Sequence, residues 1–209
     1  MVTPIPGPAY RIVTSRLVLR CRNPEDAPLV ATAIEASMEH LRPWANWIKE
    51  EPKNLQERIT MLRRFRGQFD LGQDYTYGIF DGDEREMLGC ADLDPSLGEG
   101  ALEIGYWIHA AHINRGLATE AAAALTRVAF EVHGVQRVEI HCDPRNVRSA
   151  AVPRKLGYMH EATLHNRDVD PEGNLRDTMI WSLFEDSYPK SAAAQAPVEA
   201  YDAIGRKIL

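Results

Sequence analysis

Two rhythms run along this chain: short stretches in which apolar and polar residues alternate, and longer ones in which apolar residues keep to one helical face. They predict strands and amphipathic helices respectively. Residues 12–20 read as a first strand, with Leu17 and Leu19 on one face. Asn23-Pro24-Glu25-Asp26 then has the chemistry of a helix start, and that helix would turn Leu29, Ala33, Ile34 and Ala36 inward. A second helix spans about 55–71, with a stripe of Leu55, Ile59, Leu62, Phe65 and Phe69. Strands near 75–80 and 87–93 are joined by Asp81-Gly82-Asp83-Glu84, a hairpin turn by composition. At 102–108, Leu102, Ile104, Tyr106 and Ile108 alternate with Glu103, Gly105 and Trp107, so Glu103 points away from the apolar face. A helix over roughly 117–132 buries Leu117, Ala121, Leu125, Val128 and Val132 and ends at Gly134. A strand at 136–142 carries Val138, Ile140 and Cys142 on one face, a helix runs from 147 to 156 and stops at Gly157, and strands near 158–164 and 178–184 follow. The Ala-rich stretch from 187 reads as an appendage outside the core. This order of elements predicts an α/β (α+β) chain with about seven strands, arranged as a Pro-rich N-terminus over 1–11, one domain over 12–186 and an extension over 187–209.

Between the strand at 102–108 and the helix that follows lies Ile113-Asn114-Arg115-Gly116-Leu117-Ala118-Thr119-Glu120. A strand, a short turn with small residues and a helix start gather several unpaired backbone N–H groups around one point. The helix dipole adds partial positive charge there, so a phosphate-bearing ligand is the first expectation. The chain of 209 residues is 44% apolar and 26% charged, average for a globular protein, and long enough to bury a substantial core. No apolar run is long enough to cross a bilayer, and the N-terminus lacks the basic-then-apolar pattern of a secretory signal. Cys21, Cys90 and Cys142 are odd in number and widely spaced, which reads as free thiols in a reducing cytoplasm. A net charge of −6 argues against nonspecific binding to nucleic acid or anionic lipid membranes. His109 and His112 have no evident third ligand, so no metal is expected.

Three segments come in the order and spacing of one family. They are the strand Glu103-Ile104-Gly105-Tyr106-Trp107-Ile108, the loop Asn114-Arg115-Gly116-Leu117-Ala118, and the run Asn146-Val147-Arg148-Ser149-Ala150-Ala151-Val152-Pro153-Arg154-Lys155-Leu156-Gly157-Tyr158. In these the chain resembles the GNAT superfamily of N-acetyltransferases, nearest its RimJ/RimL-type branch, which acetylates ribosomal-protein N-termini. Thr14-Ser15-Arg16-Leu17-Val18-Leu19-Arg20 and His40-Leu41-Arg42-Pro43-Trp44-Ala45-Asn46-Trp47 look like that branch too. The likeness covers about 12–184. It implies the GNAT fold, a mixed and mostly antiparallel sheet flanked by helices, with a V-shaped split between the strands at 102–108 and 136–142 for acyl-CoA. Two positions depart from the family pattern: Ile113 stands where Gln or Arg is common in the loop, and Pro153 where much of the superfamily has a Tyr proton donor.

The resemblance also implies roles. The pantetheine arm of acetyl-CoA would pair with backbone near Ile108 and His109, and the pyrophosphate would rest on the amides of Asn114, Arg115, Gly116, Leu117, Ala118 and Thr119. Asn146 and Ser149 would lie near the thioester. Ser149 takes the place of the branch's thiolate partner, although its other reading is a backbone bond in the helix's first turn. Two carboxylates compete as base for the amine. Asp168, nineteen residues after Ser149, is slightly favoured; Glu103 is the other. Their plainer readings are an Asx-turn for Asp168 and a structural ion pair for Glu103. Trp44, Trp47 and His40 are placed on the amine-acceptor side, with core packing as the equal alternative for the tryptophans. Arg145, Arg148, Arg154 and Lys155 form a basic group suited to coenzyme A phosphates, whereas Arg58, Arg63, Arg64 and Arg66 read as a solvated helix face. The expected activity is acyl transfer from acetyl-CoA to a primary amine, protein N-terminus or small molecule, in a ternary complex without an acyl-enzyme, with a homodimer as a guess from the resemblance. A non-catalytic acyl-CoA-binding or regulatory module is the alternative, favoured by Ile113 and Pro153. Neither G-x-G-x-x-G nor a P-loop motif is present.

Overall fold

The computed structural model describes residues 8–209, so most of the Pro-rich stretch expected at 1–11 lies outside the described residues. Nine strands form one sheet. In chain order they are β1 (Arg11–Val13), β2 (Leu17–Cys21), β3 (Tyr75–Asp81), β4 (Met87–Asp94), β5 (Ala101–Ile108), β6 (Arg137–Cys142), β7 (Met159–Val169), β8 (Leu175–Phe184) and β9 (Glu199–Tyr201). Their order across the sheet is β7-β8-β6-β5-β4-β3-β2-β1-β9. Every neighbouring pair is antiparallel except β5 and β6. The expected strand at 12–20 is two strands, because Thr14 accepts from Leu17 N–H at 3.1 Å and closes a tight turn between them. With β9 added, that accounts for nine where the sequence pattern gave about seven.

The helices are α1 (Ala27–Glu35), α2 (Met38–Leu41), α3 (Leu55–Asp70), α4 (Leu117–Val128) and α5 (Val147–Leu156). On one face of the sheet, α4 and α5 bury Leu117, Ala121, Leu125, Val128, Val152 and Leu156 against Leu102, Ile104, Val138 and Ile140. Four consecutive alanines, Ala121–Ala124, let α4 lie close to the strands. A π turn, Ala129–His133, follows α4, and Gly134 stops it in the left-handed conformation at φ 66°. Gly157 does the same for α5 at φ 90°. On the opposite face α1 and α3 bury Val30, Ala33, Ile34 and Leu62 against Phe80, Met87 and Cys90.

Three expectations are corrected here. Ala36 and Leu55 face solvent, since α1 is already ending at Ala36 and Leu55 is the first residue of α3. Arg58 is not on a solvated face: it is 1% exposed and its guanidinium meets Glu51 at 3.2 and 2.7 Å. The stretch from 187 onward is not outside the core. Tyr188, Ala193 and Ala200 are buried in it, Arg127 Nη1 donates to Ala196 O at 2.9 Å, and β9 pairs with the outer edge of β1 from Arg11↔Tyr201 to Val13↔Glu199. A chain cut after Lys190 is therefore expected to lose ~10 °C or more of Tm, because it uncovers that edge and the α4 surface beneath Ala193. An unchanged melting transition by differential scanning calorimetry would contradict this.

Candidate active site

β5 and β6 run side by side only through Ala101↔Arg137, Leu102↔Val138 and Glu103↔Glu139. Beyond Glu103 they part. β5 stays with β4 as far as Gly89↔Ile108, and β6 stays with β8 as far as Cys142↔Met179. A wedge therefore opens between the C-terminal halves of two parallel strands, the place where α/β sheets characteristically receive ligands. His109 N–H donates to Leu88 O at 2.8 Å. By alternation the N–H and C=O of Ile108 turn the other way, towards the wedge.

At the wide end of the wedge the chain turns into α4. Asn114 and Gly116 take left-handed conformations, φ 61° and 79°, and Gly116 caps the helix with no side-chain acceptor for its first amides. The loop is braced from behind. Arg16 Nη1 donates to Arg115 O at 2.9 Å, and Glu120, in the first turn of α4, accepts from Thr14 Oγ1 at 2.6 Å, Arg16 N at 3.0 Å and Arg16 Nε at 2.6 Å. Ile113, the departure from the family loop, packs against the core and so anchors the loop.

On the β6 side of the opening, just past Cys142, Asn146 caps α5, its Oδ1 accepting from Ser149 N–H at 3.1 Å. Tyr106 reaches from β5 across the wedge: its hydroxyl donates to Ser149 O at 3.1 Å and lies 3.2 Å from Ser149 Oγ. Burial, the largest effect, pushes the Tyr106 phenol well above its ordinary range, so it stays a donor. Pro153 sits buried inside α5.

The opposite face of the fork carries a cavity of about 340 Å³ lined by Glu103, His141, Cys142, Asp143, Arg167, Asp168, Arg176 and Thr178. Both candidate bases line it, in contrasting settings. Glu103 is raised above the usual carboxylate range, by burial first and by the charges of Asp94 and Glu139, while His141 at 3.2 Å partly offsets them. Asp168 is lowered: burial would raise it, but Arg176 Nε at 3.0 Å, the Val169 amide and the Arg176 charge outweigh burial. Asp168 is thus a strand residue paired to Arg176 across β7 and β8 (Asp168↔Arg176). The Asx geometry expected of it belongs to Asp170, whose Oδ1 accepts from Glu172 and Asn174 amides.

His40, Trp44 and Trp47 meet different neighbours: α5, β8 and β5 respectively. His40 is lowered by burial and by the Arg148 charge from the first turn of α5. The Trp44 carbonyl accepts from Nη1 of Arg176, a cavity-lining residue, at 3.0 Å. Trp47 is 39% exposed, its ring 6.0 Å from that of Trp107 on the Glu103 face of β5. The basic group is divided. Arg145 is held by Asp143 and Arg154 lies over the Trp181 ring, while Arg148 and Lys155 are exposed. His109 and His112 meet edge to face with ring centroids 5.2 Å apart, and His112 meets Glu86. Among the described residues no group of three or more His, Cys, Asp or Glu side chains is placed to hold a metal ion.

Three residues of the site escape the sequence pattern. Tyr106 fits the alternation of β5 as an apolar position, which hides its hydroxyl. His141 alternates with Ile140 and Cys142, so its side of the sheet could have been read from the period. Asp92 faces Gly105 across β4 and β5, and a Cβ on Gly105 would come within 2.8 Å of its Oδ1. Burial, then the charges of Asp74, Glu103 and Asp94, raise Asp92 to about 7.

Over residues 16–159 the sequence matches the family described as Acetyltransferase (GNAT) domain. It is 29% identical over 182 residues to the ribosomal protein uS5-alanine N-acetyltransferase of Escherichia coli (strain K12), covering 84% of this chain and 91% of that protein. Among solved structures, Mycobacterium smegmatis RimJ in complex with CoA-disulfide is similar at TM-score 0.77 and 24% identity, over 91% of this chain and 94% of that one. RimL, a ribosomal L7/L12 alpha-N-protein acetyltransferase in complex with coenzyme A, is similar at TM-score 0.74 and 20% identity, over 84% and 97%. At these identities the two structures speak for the fold.

Proposed function

The chain belongs to the acetyltransferase (GNAT) domain family, and from that premise we propose that it moves an acetyl group from acetyl-CoA to a primary amine by direct attack within a ternary complex. The observation that carries this reading is the fork: β5 and β6 part after Glu103, with the amide-rich start of α4 at its wide end and a carboxylate-lined cavity on its other face. The amides from Asn114 to Thr119 would hold the pyrophosphate. Ile108 and His109 would take the pantetheine arm, with the Ile108 amide near the thioester oxygen as charge gathers there. Asn146 and Ser149 would border the thioester.

Glu103 is our choice of base. The Arg176 grip that keeps Asp168 ionised also makes it a poor proton acceptor, whereas burial gives Glu103 the stronger basicity. In the transfer the amine nitrogen bonds to the thioester carbon, the C–S bond breaks, and the amine's proton goes to Glu103. The departing CoA sulfur takes a hydrogen bond from Ser149, a residue that Tyr106 positions by donating to its backbone carbonyl. Tyr106→Phe is accordingly expected to lower kcat about 10-fold with little change in the KM for acetyl-CoA, a loss of one oriented hydrogen bond. Steady-state kinetics checks it, and an unchanged kcat would remove Tyr106 from the scheme.

For the acceptor, the E. coli relative acts, by its name, on an alanine of a ribosomal protein. We infer a protein N-terminal amine as the first acceptor to test, with small-molecule amines beside it. Calorimetry with coenzyme A, followed by free-thiol release over N-terminal peptides and a panel of amines, tests the proposal. CoA binding with no turnover on any amine would leave a binding or regulatory module instead. Radiolabelled acetyl group retained on denatured protein would exclude direct transfer.

A further inference from the structure

We propose that His141 is a positioning residue for Glu103, holding its carboxylate ionised and turned to the cavity, while Glu139 fixes the imidazole from the other side. The inference rests on Glu103 being the base. The last paired residues of the fork are Glu103 and Glu139, two carboxylates side by side on neighbouring strands. Like charges so placed are destabilising unless something stands between them. His141, two residues along β6 from Glu139 and on the same face, does so: its Nδ1 lies 3.2 Å from Glu103 Oε2 and its Nε2 2.6 Å from Glu139 Oε2. A ring with one N–H can face only one carboxylate as a donor; its other nitrogen would set a lone pair against the second. With a proton on each nitrogen it bridges both.

The surroundings leave His141 as the basic side chain in contact with Glu103 among the described residues. From β4, Asp94 stands opposite Glu103 in register, and Asp92, raised to about 7, lies two residues along the same strand. From β6, Arg137 is spent on Glu139, at 2.7 Å. Across the cavity, Arg176 is spent on Asp168, and Asp143 and Arg167 complete the charged wall. Ile180 and Ser182 of β8, opposite His141 and Glu139, are uncharged. Without His141, Glu103 would face acids only among its close neighbours and would keep its proton to higher pH.

The test uses the full-length chain. In His141→Ala, and in His141→Gln where the space stays filled, the acid limb of the kcat/KM profile should move up by about one pH unit, with activity recovering at high pH. His141→Lys, which restores a cation, should return the limb towards its original place. A residue that merely props the fold would instead lower kcat/KM at every pH. The same shift should be read by carbon NMR of the Glu103 carboxyl, assigned with Glu103→Gln, in enzyme without acceptor. That reading stands even if no amine turns over, an outcome that would count against the acetyl-transfer proposal alone. A Glu103 titration that does not move in His141→Ala or His141→Gln overturns the inference.

Discussion

Arg58→Ala is expected to cost about 3–5 kcal/mol of folding stability, because it strands a buried charge. Arg58 and Glu51 are 1% and 2% exposed at their side chains and joined by two hydrogen bonds. The ion pair ties the first turn of α3 to the residue that follows the short 3-10 helix Asn46–Glu50. Removing the guanidinium leaves the Glu51 carboxylate in the interior with its partner gone, whereas replacing both residues by apolar ones of similar size should restore most of the loss. Urea unfolding of the single variant and of Arg58→Met with Glu51→Leu measures both. A loss near that of an exposed pair, below about 1 kcal/mol, would mean that water reaches the site.

The second large effect is on the chemistry. Glu103→Gln should lower kcat about 100- to 1000-fold while leaving the affinity for coenzyme A intact, the range of a lost general base. Its sign with pH follows from the direction of the shift. A base works only when unprotonated, and burial raises Glu103 above the usual carboxylate range, so wild-type kcat/KM should fall as pH drops through that raised value. In Glu103→Gln this acid limb should vanish and the residual rate should rise with pH as free amine accumulates. Asp168→Asn is expected to do less to kcat and more to the KM for the acceptor, since it frees Arg176 and with it the contact to the Trp44 carbonyl. If the two variants traded these behaviours, Asp168 would be the base.

Much of this architecture was legible because its signals are local. Gly134 and Gly157 ended their helices where a left-handed cap was expected, and the alternation from Leu102 to Ile108 put Glu103 on the polar face. What was not legible depended on partners distant in the chain. Nothing near Arg58 says that Glu51 will neutralise it, so a charged residue on a helix reads as solvated. Asp168 looks like a turn residue until Arg176 is brought beside it by a longer hairpin than its composition implies. Alanines near 193 and 200 carry too weak a periodicity to reveal that they complete a core. The candidate site divides the same way. The α4 loop stands in one stretch of sequence, while the company of Glu103, namely Glu139, His141 and Asp94, comes from two other strands.

Glu120 binds both the backbone and side chain of Arg16 as well as Thr14, so the opening turn of α4 and the first hairpin are one mechanical unit. Whatever quiets fluctuations at the helix start must quiet the hairpin too. Hydrogen–deuterium exchange at Ile12 and Leu19, whose side chains are wholly buried, would then serve as a remote reporter of cleft occupancy.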